Sequence, residues 1–147
     1  MAITHCVAKA ILLDDGGDFL LLKRSETHPR LAGFHDLPGG TVESDEEWRF
    51  AVVREIKEET GIELDKGQLK ALYTTTHLIN GKSYPTVLYL GRVSGLKPSV
   101  TLSWEHQSYE WAALARLPEV EPQVAPTYRE ALDYVRANNI IEDIETK

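Results

Sequence analysis

Apolar and polar positions alternate or cluster along the chain in a way that predicts five strands and two helices. Residues 3–13 are apolar with partial alternation and read as a strand, closed by the Asp14-Asp15-Gly16-Gly17 turn. Phe19–Arg24 is nearly continuous in apolar residues and reads as a central strand, hairpin partner of the first. Residues 25–36 form a loop with Pro29 and Gly33. A helix is expected from about Asp45 to Thr60, with Ser44 as N-cap, Glu47 completing a capping box, and Gly61 as the stop. Leu69–Ile79 and Ser83–Val93 read as a hairpin about Asn80-Gly81, with Pro85 confined to an edge or bulge. Residues 94–104 form a loop, and 105–111 lead into a further strand. Tyr128–Asn138 carries the stripe Ala131, Leu132, Val135 of an amphipathic helix, and the last residues read as frayed or as an oligomer contact. This order suits an α+β fold, a mixed sheet between helices, in one domain spanning residues 1–147.

The first helix has an unusual face. At about 100° per residue, Trp48, Ala51, Val52 and Ile56 form an apolar sector, and Glu55 and Glu59 project into it with Glu58 on its flank. A carboxylate on a packed face costs several kcal/mol unless something neutralises it. Arg54, on the other side of the helix, is a nearby cation. Acidic groups three and four residues apart converge, and hard divalent cations take oxygen ligands of that kind. The plainer alternative is a solvated acidic helix. The shared apolar sector and the Pro38-Gly39-Gly40 turn just upstream argue against it.

Composition narrows the function classes. The 42% apolar and 27% charged content is that of a globular protein, and a formal net charge of −7 disfavours a broad nucleic-acid or membrane surface. No apolar run approaches the ~20 residues of a membrane helix. With no secretory pattern at its start and a single Cys6, the chain is expected in the cytoplasm, with Cys6 packing in a strand.

The spacing of the acidic helix is specific. Gly40, Glu46, Arg54-Glu55-Ile56, Glu58-Glu59 and Gly61-Ile62 fix nine positions across 23 residues, and this pattern resembles the Nudix box at each of them. The chain resembles a MutT-like Nudix hydrolase. The resemblance implies the family's α/β/α sandwich and water-driven cleavage of a diphosphate linkage in a nucleoside diphosphate derivative. It also implies a divalent metal, Mg²⁺ or Mn²⁺, held by Glu55, Glu58 and Glu59 with a backbone carbonyl at Gly39 or Gly40. Glu55 could alternatively accept the water's proton, Arg54 would orient a glutamate, and Glu46 would be structural or part of an outer metal shell. Glu105, with His106 as a possible partner, matches the acidic loop position that in relatives ligates an extra metal or orients water.

Arg24 matches a basic position that can reach a substrate phosphate, the other reading being an exposed strand-end charge. His28, Arg30, His77 and Tyr84 are further candidates for substrate contact, each with a solvated-loop or strand-packing alternative. His35 stands where relatives often carry a Trp, two residues before the leucine of LPGG. A nucleoside triphosphate, normal or oxidised, is the leading substrate, with ADP-ribose or another nucleoside diphosphate sugar second. A silent nucleotide sensor is disfavoured because every box glutamate is kept. A prenyl diphosphate isomerase is disfavoured because Cys6 lies in the first strand. Relatives are often homodimers.

Overall fold

The computed structural model describes residues 5–29 and 31–138. Arg30, the first part of the predicted opening strand and the tail beyond 138 lie outside the described residues.

The described strands are β1 (Val7–Leu13), β2 (Phe19–Arg24), β3 (His35–Asp36), β4 (Gly39–Thr41), β5 (Lys70–Ile79), β6 (Lys82–Arg92) and β7 (His106–Ala112). The helices are α1 (Trp48–Thr60) and α2 (Ala125–Ala137), with short 3-10 turns at 66–68, 114–119 and 122–124. The strands form one sheet in the order β3-β2-β1-β6-β5, with β4 also on β1 and β7 also on β2. The β1–β6 ladder is parallel and the other pairings are antiparallel, so the sheet is mixed.

β1 and β2 are apolar on both faces because both faces are covered. Ala8, Ala10, Leu12, Leu20 and Leu22 pack with Val52 and Ile56 of α1. Ile11, Leu13, Phe19 and Leu21 pack with Tyr128, Ala131, Leu132 and Val135 of α2. Alternate residues of one strand thus feed two cores, as the pleat requires. None of the described helices is long and apolar enough to cross a membrane.

The β5–β6 hairpin turns on Asn80 (φ 51°) and Gly81 (φ 75°), the two left-handed residues of a type I′ turn. Pro85 pairs with β5 at Thr76, whereas the parallel ladder to β1 begins only at Thr86, so its missing N–H faces no strand there.

Two helix boundaries differ from expectation. Helix α1 starts at Trp48, and its N-cap is Glu47, whose side chain accepts the Phe50 N–H at 3.0 Å. Ser44 caps nothing, because Glu43–Glu46 forms a separate turn, closed by Glu46 N–H on Glu43 O at 3.1 Å. Glu46 turns back to the Glu43 N–H (3.2 Å) and to Arg54, so it cannot join the first helical turn. At the other end Gly61 is left-handed and donates to Lys57 O, as a glycine stop should. Helix α2 begins three residues earlier than expected, since Pro126 fits its first turn, where no N–H partner is needed.

The Pro-Gly-Gly segment is more than a turn. Gly39 and Gly40 pair with Lys9 and Ala8 of β1. Gly39 has φ 124°, and a Cβ there would lie 2.2 Å from Ala8 O. Only glycine allows so close a backbone approach.

Candidate active site

The Gly39-Gly40 strand, the last two turns of α1 and the loop before β7 meet at one cleft of about 610 Å³. Glu55, Glu58 and Glu59 line it together with Gly40. The Glu55 carboxyl stands so close to Gly40 that a Cβ there would meet it at 3.2 Å. Glu59 is 3% exposed, and one of its oxygens accepts the Gly39 N–H at 2.8 Å. Burial pushes the Glu59 carboxyl well above the usual carboxylate range, against the pull of Lys9 and the Gly39 N–H. Burial also raises Glu55, with Glu58 and Glu105 adding repulsion and Arg54 opposing it.

Arg54 lies behind these groups and ties them together. Its guanidinium grips Glu46 with two hydrogen bonds (2.6 and 3.0 Å) and reaches Glu55 at 3.2 Å and Glu58 at 3.3 Å. That grip holds Glu46 below its ordinary range. Glu46 therefore anchors Arg54 and is absent from the cleft lining.

Beneath the glutamates lies a buried charge cluster. Asp36 takes Lys9 Nζ at 2.9 Å, Arg24 Nε at 3.1 Å and His106 Nε2 at 3.2 Å. Burial alone would raise the Asp36 carboxyl, but these cationic and hydrogen-bonding partners hold it far below the carboxylate range. Lys9 also donates to the Leu37 and Gly39 carbonyls, which fixes the strand that carries Gly40. His106 Nδ1 is buried without a hydrogen-bond partner and sits 3.9 Å from Glu59. Asp36, Glu59 and His106 bring potential ligand atoms within 4.8 Å of one another. Because Asp36 is already neutralised by Lys9 and Arg24, the spare donor capacity of this trio lies with Glu59 and His106.

Most candidates from the sequence arrive at the cleft. Glu55, Glu58, Glu59, Gly40, Glu105, Arg24, His28 and Tyr84 all line it. Arg24 is no exposed strand end: it is buried between Asp36 and Glu121. His28 and Glu105 face each other across the mouth at 3.6 Å. His35 is not brought there. It pairs with Lys23 in the β2–β3 ladder, its Nδ1 is enclosed without a partner, and it is absent from the cleft lining.

Lys9, Asp36, Glu121 and Tyr128 are lining residues that sequence reasoning missed. Lys9 carried a signal: a lone charge inside the otherwise apolar VAKAILL needs a buried partner.

Comparison with known proteins agrees with this geometry. The NUDIX domain family matches residues 4–135. A MutT-like protein of Streptomyces ambofaciens is 34% identical over 73 residues, which is 49% of this chain and 44% of that protein, so the match spans under half of that relative's length. The CTP pyrophosphohydrolase of Escherichia coli (strain K12) is 31% identical over 104 residues, covering 71% of this chain and 73% of that protein. The crystal structure of the MutT protein from Methanosarcina mazei Go1 superposes with a TM-score of 0.76 at 30% identity, covering 91% of this chain and 94% of that one. With its box at the cleft, a domain match over most of its length and these relatives, the chain belongs to the Nudix family.

Proposed function

We propose that this protein hydrolyses a diphosphate linkage in a nucleoside diphosphate derivative, a nucleoside triphosphate in its normal or oxidised form being the leading substrate. The observation that carries the reading is the shared lining of the cleft by Glu55, Glu58, Glu59 and Gly40, with the Glu55 carboxyl against Gly40 and Glu59 on the Gly39 N–H. Carboxyls gathered there, two of them pushed upward by burial, form an oxygen donor set that a hard cation would relieve. The residues fit Mg²⁺ or Mn²⁺, with Glu55, Glu58, Glu59 and the Gly40 carbonyl as the groups that would hold it. A divalent ion bound there would supply positive charge to the phosphate oxygens and make an attacking water more acidic.

The chain's own groups have distinct tasks. Arg54 fixes the directions of Glu55 and Glu58. Glu55 either joins the groups that would hold the ion or, raised by burial, takes the water's proton in their place. Glu105 faces it from the cleft mouth, where it can orient water or join a further metal shell. One P–O bond of the anhydride breaks. Water supplies hydroxide to one phosphorus, its proton leaves through a carboxylate, and two phosphorylated products depart. A free Cys6 suits the reducing cytoplasm as the site of this reaction.

The test is phosphate release with Mg²⁺ across nucleoside triphosphates, oxidised triphosphates, diphosphate sugars and dinucleoside polyphosphates, with added pyrophosphatase or phosphatase. Glu58→Gln is run beside the wild type. Turnover of triphosphates, lost in the variant while the fold persists, supports the reading. Turnover of ADP-ribose alone would move the substrate to the diphosphate sugars. Unchanged turnover in the variant would sink the metal assignment.

A further inference from the structure

Among the described residues, His35, His77 and His106 each hold a buried ring nitrogen with no hydrogen-bond partner. Such orphaned nitrogens are uncommon in native proteins. Of these histidines, only His106 belongs to a group of potential ligand atoms, with Asp36 and Glu59, all within 4.8 Å of one another. Its Nε2 lies 3.2 Å from Asp36 Oδ2, and its orphaned Nδ1 lies 3.9 Å from Glu59 Oε2. The His106 side chain is fully enclosed.

The Asp36 contact fixes the tautomer. Lys9 and Arg24 hold Asp36 in its ionised form, and an ionised carboxylate only accepts hydrogen bonds. Nε2 therefore carries the hydrogen that it gives to Asp36. In the neutral ring the lone pair then sits on Nδ1, towards Glu59. A histidine that ligates a metal characteristically donates its other ring N–H to a carboxylate, which sets the tautomer and the direction of the ring. Asp36 supplies that carboxylate here.

The Glu59 contact is equally fixed. Its Oε1 accepts the Gly39 N–H at 2.8 Å, and its Oε2 stands opposite His106 Nδ1 at a distance longer than a hydrogen bond. An ionised Glu59 and a lone pair on Nδ1 are both acceptors, so the gap between them suits a cation. Lys9 does not fill it. The three hydrogens of its ammonium go to Asp36 and to the carbonyls of Leu37 and Gly39.

We propose that His106 Nδ1 and Glu59 Oε2 form a mixed nitrogen–oxygen site for a transition-metal ion of the Zn²⁺ class, reached from the cleft that Glu59 lines. Imidazole nitrogen is a preferred ligand of Zn²⁺, whereas Mg²⁺ takes oxygen. Water from the cleft completes the shell. The site differs in kind from the oxygen set of Glu55, Glu58 and Gly40, yet it shares Glu59 with that set. The shared ligand makes Zn²⁺ an antagonist of Mg²⁺, a consequence that rests on the metal reading above.

The experiment follows the isotope-labelled histidine ring nitrogens of the protein by NMR during titration with Zn²⁺ and, separately, with Mg²⁺. Zn²⁺ should move the His106 Nδ1 resonance from that of a free lone pair to that of a metal-bound nitrogen, and Mg²⁺ should leave it in place. A His106 nitrogen that ignores Zn²⁺ overturns the proposal, even where Zn²⁺ binds elsewhere on the surface. His106→Gln keeps an amide donor for Asp36 and removes the lone pair. Its Zn²⁺ affinity, read by competition with a chromophoric chelator, should fall about ten-fold or more. Its Mg²⁺ affinity should stay within about two-fold of wild type. Equal Zn²⁺ affinity in the two folded proteins also overturns the proposal. Glu58→Gln separates the two metal readings, because Glu58 lies outside the nitrogen site. That variant should lose Mg²⁺ affinity and keep the Zn²⁺ response at His106. Unchanged Mg²⁺ affinity with the His106 response retained would overturn the oxygen set and support the nitrogen site.

Discussion

One carboxylate oxygen of Glu59 accepts the backbone N–H of Gly39 at 2.8 Å, which fastens the end of α1 to the strand that carries Gly40. The acid is both a clamp and a candidate ligand. Glu59→Gln keeps an acceptor for Gly39 and removes only the charge. Its thermal midpoint should stay within about 4 °C of wild type, because the retained hydrogen bond is worth about 1 kcal/mol. Mn²⁺ affinity by titration should fall at least about ten-fold, since a carboxylate ligand is lost. Equal affinity in the two proteins would remove Glu59 from the metal set.

Metal should stabilise the fold more at higher pH. Burial raises the folded-state pKa of Glu59 above its ordinary 4.5, so the folded protein holds a proton that the unfolded chain has released. That group favours the folded state less as pH rises through the interval between the two values. Metal needs the proton gone, so the midpoint shift caused by Mg²⁺ should be larger near pH 8 than near pH 5.5. A shift that shrinks with rising pH contradicts this placement.

Asp36 has the opposite sign. Its folded pKa lies below the ordinary 3.8 because Lys9, Arg24 and His106 hold the ionised form. Its contribution is fully present above 3.8 and is lost as pH falls below that value towards the folded one. Asp36→Asn leaves Lys9 and Arg24 buried beside a neutral group, at a cost of about 3–5 kcal/mol. Urea midpoints should show that loss at pH 7 and a shallower acid limb in the variant below about pH 4. A wild-type acid limb in Asp36→Asn would reject the assignment.

Arg54→Lys tests orientation. A lysine keeps the charge but cannot reproduce the fork that grips Glu46 while reaching Glu55 and Glu58. Because Arg54 is partly exposed, stability should drop by only about 1 kcal/mol. Turnover should fall about ten-fold or more, chiefly in kcat, as misplaced carboxylates lose their geometry. A variant with wild-type kcat would make Arg54 purely structural.

What the sequence made legible was local. Phe19–Arg24 was bounded correctly because a doubly covered strand reads as an unbroken apolar run. Asn80-Gly81 named its own turn, and Gly61 its own helix end. Glu55, Glu58 and Glu59 were visible because one helix sets their spacing. The Ser44 cap failed because Glu46 had a stronger partner eight residues away in Arg54. The Lys9–Asp36 pair was hidden by a separation of 27 residues, and no local pattern announces which distant acid a buried lysine will meet. Glu121 was equally silent: its position in the cleft depends on a left-handed backbone held by His35 across the fold.

The two-sided use of β1 has an evolutionary consequence. Residues facing α1 support the glutamates, whereas the opposite layer contributes Tyr128 to the cleft lining. Mutations that reshape the second layer can drift towards a new ligand while leaving the acidic apparatus undisturbed. A lineage built on this sheet can diversify what it accepts without reinventing how it reacts.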